Sequence, residues 1–215
     1  MWNLSDLAWV LGAYFLGSVP FGILLAKARG IDLTAVGSGN IGATNAMRAL
    51  GKPLGLVAFA LDFGKGFVTP WWILQHGGEG ALGLASLTGA VAAAGHVWPI
   101  WLGFRGGKAV ATAMGALCAV DPMVALWGAP VWLIAVFFSS HVSVGSLAMS
   151  LSFPVTAWLR WGETDEGYLF VCAAMFLCTL IWFRHRPNIR LLLQGEEART
   201  RLGLRGREAG DAKDD

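Results

Sequence analysis

Apolar residues run almost unbroken along seven stretches, 4–26, 54–74, 80–102, 108–120, 122–138, 142–160 and 167–183, and the polar residues gather between them. A helix needs about 20 apolar residues to cross the hydrocarbon of a bilayer. The pattern therefore predicts an all-α polytopic membrane protein with seven transmembrane helices. The fourth stretch is short for a lipid-facing span, which suits a tilted, central or partly re-entrant helix, and Asp121-Pro122 marks the turn after it. Trp71, Trp72, Trp98, Trp101, Trp158 and Trp161 fall near predicted span ends, where interfacial anchors are expected.

Composition agrees. Of 215 residues, 55% are hydrophobic and only 14% charged, against about 25% charged in soluble domains. A net charge of +2 does not argue for nucleic acid. Cys118, Cys172 and Cys178 lie inside apolar runs and read as core residues. No Lys or Arg precedes Lys27, so the first stretch lacks the basic flank of a signal peptide. Leu25-Ala26-Lys27-Ala28 contains an A-x-A pattern, but the first span is read as retained.

The placement of charge sets the direction. Lys27, Arg29, Arg48, Lys52, Arg105, Lys108, Arg184, Arg186, Arg190, Arg199, Arg201, Arg205, Arg207 and Lys213, 14 of the 16 basic residues, fall on one side. Of the other two, Arg160 falls on the opposite side, with Asp6, Glu79, Asp121, Glu163, Asp165 and Glu166, and Lys65 within a span. By the positive-inside rule the N-terminus is outside and the C-terminus cytoplasmic. Residues 1–190 then form a seven-helix membrane domain, and 191–215 a charged cytoplasmic tail whose end, GREAGDAKDD, is expected to be disordered.

The stretch GSGNIGATNAMR, 37–48, carries chemistry. Gly37, Gly39 and Gly42 have the G-x-G-x-x-G spacing of a dinucleotide turn, and Asp62 stands 20 residues after Gly42. That reading needs a strand before the glycines and a helix after them. Here they lie between two membrane spans, and Asp62 is inside the second.

All the polar, Gly-rich connections fall on the cytoplasmic side: GSGNIGATNAMR, GHVWPIWLGFRGGKAVAT (95–112), SSHVSVGS (139–146) and HRPN (185–188). The fourth and sixth spans open there at GGK and HVSVGS, and a further short helix can open at Gly42. Helix N-termini carry unpaired N–H groups and partial positive charge, and glycine lets the backbone approach a ligand. With Arg48, Arg105, Lys108 and Arg186 this face is a candidate anion site. Arg48 suits a bidentate grip on phosphate and Lys108 a point charge. Ser38, Asn40, Thr44, Asn45, Ser143 and Ser146 supply neutral hydrogen bonds.

Plainer explanations exist: Gly-rich loops are often only tight turns, and loop cations follow from the positive-inside rule. Asp62 and Lys65, three apart within a span, read as a structural pair beneath the site. His96, His141 and His185 lack the local spacing of a metal motif, so no metal site is expected. His76 reads as solvated.

GSGNIGATNAMRALG, GHVWPIWLGFRGGKAVAT, HVSVGS and HRPNI, in this order, resemble the motifs of the bacterial membrane acyl-phosphate:glycerol-3-phosphate acyltransferases. The resemblance runs from the first span to Glu197. It implies a seven-span inner-membrane enzyme with a cytoplasmic active site and no cofactor. It moves an acyl group from acyl phosphate to the 1-hydroxyl of sn-glycerol 3-phosphate, giving lysophosphatidate and phosphate, the first step of phospholipid synthesis. Its partners would be those two substrates and membrane lipid. Carried over by motif, Ser38, Asn40, Thr44, Asn45 and Arg48 belong to the first site loop, and His96, Arg105, Gly106, Gly107 and Lys108 to the second. Ser143, Gly145 and Ser146 belong to the third; His185, Asn188 and Glu197 belong to the last. Ala109 departs from a usual glycine, His141 from a commoner aromatic and Leu191 from a frequent arginine.

On this reading Arg48, Lys108 and loop N–H groups hold the phosphates, with Ser38, Asn188 and His185 completing the hydrogen bonding. The hydroxyl proton goes to His185, His96 or a substrate phosphate. A transporter of phosphate esters and a non-catalytic membrane scaffold are the other classes. The first usually places its site near the midplane on broken helices; the second leaves four polar loops on one side unexplained.

Overall fold

The computed structural model describes residues 3–200. The expected disorder of GREAGDAKDD, and Arg201, Arg205, Arg207 and Lys213 of the basic side, lie outside the described residues. The described chain is helical, with no strand: α1 Leu4–Gly17, α2 Phe21–Lys27, α3 Ala43–Leu50, α4 Lys52–His76, α5 Ala81–Val97, α6 Val110–Val120, α7 Pro122–Ser139, α8 Val142–Trp161, α9 Gly167–Arg184 and α10 Arg186–Gln194. A 3₁₀ turn, Ile100–Leu102, follows α5.

Among the described residues five segments are long and apolar enough to cross a membrane: Leu4–Lys27, Ala81–Leu102, α7, α8 and α9. The other two apolar stretches form α4, 25 residues that include Asp62 and Lys65, and α6, only 11 residues. α6 begins at Val110 rather than 108, which leaves Lys108 in the connection before it.

The first stretch is not one helix. It breaks between α1 and α2 at Ser18–Pro20. Proline has no N–H and disfavours helical conformation at the residue before it. At the break the Val19 carbonyl accepts from the Phe21 N–H at 3.1 Å and from Lys65 Nζ, in the middle of α4, at 2.8 Å. A second departure is α10, a helix across the 190/191 boundary of the expected tail.

Small residues let the backbones meet, as in membrane bundles. Gly66 of α4 faces the Thr112 carbonyl of α6, and Gly115 of α6 faces that of Phe63, so neither could carry a Cβ. Gly17 and Ala92 join α1 to α5 in the same way. Val97, Leu117, Val124, Met149, Phe153, Phe170 and Leu177 form the main buried core between α5, α6, α7, α8 and α9. Outward faces are apolar and exposed, with Leu126, Trp127 and Leu133 on α7 and Val155, Trp158 and Leu159 on α8, a surface suited to lipid.

One end of the bundle is closed by its own charges. Asp121 is buried and caps α7 through Met123 N–H at 2.9 Å. It also accepts hydrogen bonds from Trp161 Nε1 at 2.8 Å and from Arg160 Nε. Burial alone would raise its pKa, but the bonds from Arg160, Trp161 and Met123 outweigh it and hold the carboxyl below its usual value. The basic residue that stood apart in the charge pattern is thus a partner for Asp121.

Candidate active site

At the other end lie three connections and the start of α10. The first is held by Asn45, buried in the first turn of α3. Its Oδ1 accepts the Ser38 N–H at 3.0 Å, and its Nδ2 donates to the carbonyls of Leu33 and Val36, both at 3.0 Å. Asn45 therefore shapes the loop and leaves Ser38 and Thr44 exposed around it. Gly37 sits at φ +60°, and a Cβ there would strike Asn45 Oδ1. Asn40 Oδ1 accepts the Gly42 N–H at 2.9 Å and so turns the chain into α3. Arg48 stands exposed in the last turn of α3.

The second connection follows α5. Gly106 N–H bonds the Val97 carbonyl and Gly107 N–H the His96 carbonyl, both at 3.0 Å. The Gly39 N–H goes to Val36 and the Gly42 N–H to Asn40. These four glycine N–H groups are thus spent inside the loops, contrary to the expectation that they face a ligand. Their use is close packing: a Cβ at Gly107 would overlap the His96 ring. His96 itself is buried beneath the loop, with Nδ1 3.6 Å from Asp62 Oδ1. α3, α6 and α8 start at this end with no side-chain cap, and in α3 the Asn45 N–H bonds the Gly42 carbonyl at 3.1 Å.

α9 ends at Arg184, whose Nε donates to the Gly107 carbonyl at 3.0 Å and Nη2 to that of Gly106 at 2.8 Å. His185 follows, buried, with Nδ1 2.8 Å from the Ile181 carbonyl. That contact puts the proton on Nδ1 and leaves Nε2 as an acceptor. Burial, with the charges of Lys108 and Arg184, pushes His185 down to about 4 against the opposing Ile181 bond, so it is neutral near pH 7. Asn188 Nδ2 donates to Glu197 Oε1 at 2.7 Å. Burial pushes Lys108 down to about 8; Glu197 opposes this, while Arg48 and Arg184 add to it. Arg48, Lys108, Arg184, His185 and Glu197 therefore share one electrostatic neighbourhood.

In the third connection Ser143 Oγ, at the start of α8, is buried without a hydrogen-bond partner. Ser146 Oγ donates to the Val142 carbonyl at 3.0 Å, and Gly145 packs under Val136 and Trp132. The Thr200 N–H donates to the Ser140 carbonyl at 2.8 Å, which ties the segment after α10 to the α7–α8 turn.

Between the first two connections lies an open cleft of about 350 Å³, lined by Thr34, Ser38, Asn40, Phe104, Arg105 and Arg184 among others. Arg184 lines this cleft and also acts on Lys108 and His185, so it joins the cleft to the cationic group beside it. Arg186, by contrast, lies over the Phe183 ring, 4.2 Å from its centre. Sequence reasoning counted Arg184 only as a basic flank; its place immediately before His185 was the available signal. The arrangement gathers Arg105 and Arg184 at the cleft and Arg48 and Lys108 beside it, a cationic group whose charge suits an anion.

Residues 7–195 match the family model described as glycerol-3-phosphate acyltransferase. A glycerol-3-phosphate acyltransferase of Aquifex aeolicus (strain VF5) is 43% identical over 196 residues, 91% of this chain and 100% of that protein. One from Methylorubrum extorquens (strain PA1) is 40% identical over 206 residues, 95% of this chain and 96% of its own. Among solved structures, PlsY (YgiH), an integral membrane glycerol 3-phosphate acyltransferase, is similar in its glycerol 3-phosphate form. The TM-score is 0.83 at 41% identity, over 91% of this chain and 96% of that one. Its lysophosphatidic acid form gives 0.82 at 38% identity, over 91% and 95%.

Proposed function

Because the chain belongs to the glycerol-3-phosphate acyltransferase family, we propose that it transfers a fatty acyl group from acyl phosphate to the 1-hydroxyl of sn-glycerol 3-phosphate. It releases lysophosphatidate and inorganic phosphate, the opening step of phospholipid synthesis. α4 and α6 join the five segments named above as membrane spans, with the N-terminus outside and the site on the cytoplasmic face of a bacterial inner membrane. Residues 1–190 are the catalytic membrane unit; 191–215 are a cytoplasmic tail, of which Glu197 reaches the site.

The observation that carries this reading is the cleft with Arg184 on its wall and Arg48 and Lys108 beside it, at one end of an apolar bundle. Two phosphates can be neutralised there while the acyl chain stays among helices or lipid. Arg48, Lys108 and the first-turn N–H groups of α3, α6 and α8 hold the phosphates, with Ser38 and Asn188 donating hydrogen bonds to them, while the unprotonated Nε2 of His185 accepts one from a substrate hydroxyl. The hydroxyl oxygen attacks the acyl carbonyl carbon, the new ester C–O bond forms, and the bond from the acyl carbon to the phosphate oxygen breaks. Phosphate is already a good leaving group, so positioning and charge stabilisation supply most of the rate. With a pKa of about 4, His185 is a weak base. A phosphate dianion, whose conjugate acid has a pKa of about 6, is the better acceptor for the hydroxyl proton.

The test combines purified protein, acyl phosphate and glycerol 3-phosphate, with lysophosphatidate measured directly and acyl-CoA as the control donor. Product from acyl phosphate is expected. Product from acyl-CoA alone rejects the proposed donor.

A further inference from the structure

The function just proposed makes no use of three ionisable side chains buried inside the bundle. Asp62, Lys65 and His96 are 2%, 3% and 4% exposed. Charges at such depth are costly and are commonly retained for function, so their contacts are informative. Lys65 Nζ lies 2.7 Å from Asp62 Oδ1 and donates to the Val19 carbonyl at the α1–α2 break. Asp62 Oδ1 is 3.6 Å from His96 Nδ1. The far side of the His96 ring abuts Gly107, and its carbonyl accepts the Gly107 N–H. Val97, next in the chain, accepts from Gly106. Gly106 and Gly107 in turn hold Arg184 and are followed by Lys108.

These contacts form one continuous path from the helix break at Val19 to the cationic group at the site. We propose that Asp62 and Lys65 are positioning residues for the reaction. They orient His96, and through it fix the Gly106–Gly107 backbone that presents Arg105 and Lys108 to the substrate anions. The physical case rests on direction. Lys65 Nζ is held by two groups, a carbonyl of the α1–α2 break and Asp62, and so restrains the carboxylate. At 3.6 Å, Asp62 Oδ1 and His96 Nδ1 are beyond hydrogen-bond distance, and the carboxylate acts on the ring through its charge, which favours the proton on Nδ1. The ring plane forms the surface on which Gly107 rests, where a tilt of the ring would push into the loop backbone. A pair present only for mutual neutralisation would need neither the Val19 contact nor His96.

The inference rests on the proposed acyl transfer for its kinetic arm and is independent of it for its structural arm. The variant is Asp62→Asn/Lys65→Met, which removes both charges together and leaves no unpaired ion. Hydrogen exchange of residues 103–109 is followed by mass spectrometry, alongside kcat/KM for glycerol 3-phosphate and the melting temperature in detergent. Positioning predicts exchange at 103–109 at least tenfold faster and kcat/KM at least tenfold lower, at a melting temperature close to wild type. A folded double variant with wild-type exchange in that segment, or with wild-type kcat/KM, overturns the proposal. If the double variant does not fold, the decision passes to His96→Asn, which keeps the α4 pair and cuts its link to the loop. Unchanged exchange at 103–109 there overturns the proposal, and faster exchange supports it. If wild-type protein makes no lysophosphatidate, the acyl-transfer reading falls, and exchange alone decides this one.

Discussion

Arg184 and Gly107, 77 residues apart, are joined by a hydrogen bond of 3.0 Å from guanidinium to carbonyl. The second arm of the same fork reaches Gly106. A single cation thus locks the end of α9 to the connection that carries Lys108. Arg184→Lys keeps the charge and loses the fork. The expected result is a fall in kcat/KM of about tenfold, roughly 1.4 kcal/mol of transition-state stabilisation, measured by lysophosphatidate formation. Full activity in that variant would leave the fork with no part in the reaction.

Arg48 and Lys108 should each matter more directly. Arg48→Ala and Lys108→Ala are each expected to lower kcat/KM for glycerol 3-phosphate at least about tenfold. If neither does, the phosphate cradle lies elsewhere.

Lys108 should also be visible in the pH profile. With its pKa at about 8, it loses its charge in the free enzyme as the pH rises through that value. A basic limb near pH 8 is therefore expected in kcat/KM, which reports the free enzyme. The limb in kcat should lie higher, because a bound phosphate favours the charged ammonium. Lys108→Arg should remove the limb near pH 8. Stability moves the opposite way: between about pH 8 and 10 the unfolded chain holds the Lys108 proton more tightly, so this group makes stability rise with pH. His185, at about 4, should give no limb between pH 5 and 8.

Ala109 stands at φ +58° just before α6, in the left-handed region. A non-glycine residue there costs roughly 1–2 kcal/mol, and glycine's extra freedom in the unfolded chain cancels part of the relief. Ala109→Gly is expected to stabilise the protein by about 0.5–1 kcal/mol net, read from thermal melts in detergent. A lower melting temperature would mean that the Ala109 methyl, buried at this position, contributes more by packing than it costs in strain.

Asp121→Ala is the matching change at the far end of the bundle. It removes the α7 cap and the partner of Arg160 and Trp161. A destabilisation of about 1–2 kcal/mol is expected, with kcat/KM unchanged. A large kinetic effect would show that the two ends of the bundle are coupled.

The helical fold was legible because apolar runs register directly in sequence: α5, α7, α8 and α9 fall close to the expected stretches. The gathering of the polar loops at one end was legible from charge placement. Four things were not. The break at Pro20 was hidden in a run that stays apolar through it, since hydropathy does not see a missing N–H. The role of Asn45 depends on which carbonyls lie around it, Leu33 and Val36, and no spacing encodes that. Glycine N–H groups could be counted, but their partners could not, so Gly106 and Gly107 read as ligand donors when they bond Val97 and His96. The Asp62–Lys65 pair was visible three residues apart; its reach to Val19 and His96 was not.

The backbone contact between α4 and α6 bears on how this chain can diverge. Gly66 and Gly115 each lie where one added methyl would drive two helices apart, while Leu159, on the outer face of α8, meets nothing but surroundings of its own polarity. In a library of single substitutions the outer apolar positions should accept nearly any apolar residue, and these two glycines almost none. Drift among descendants would then be confined to the outer apolar shell, with the α4–α6 contact held fixed by two missing side chains.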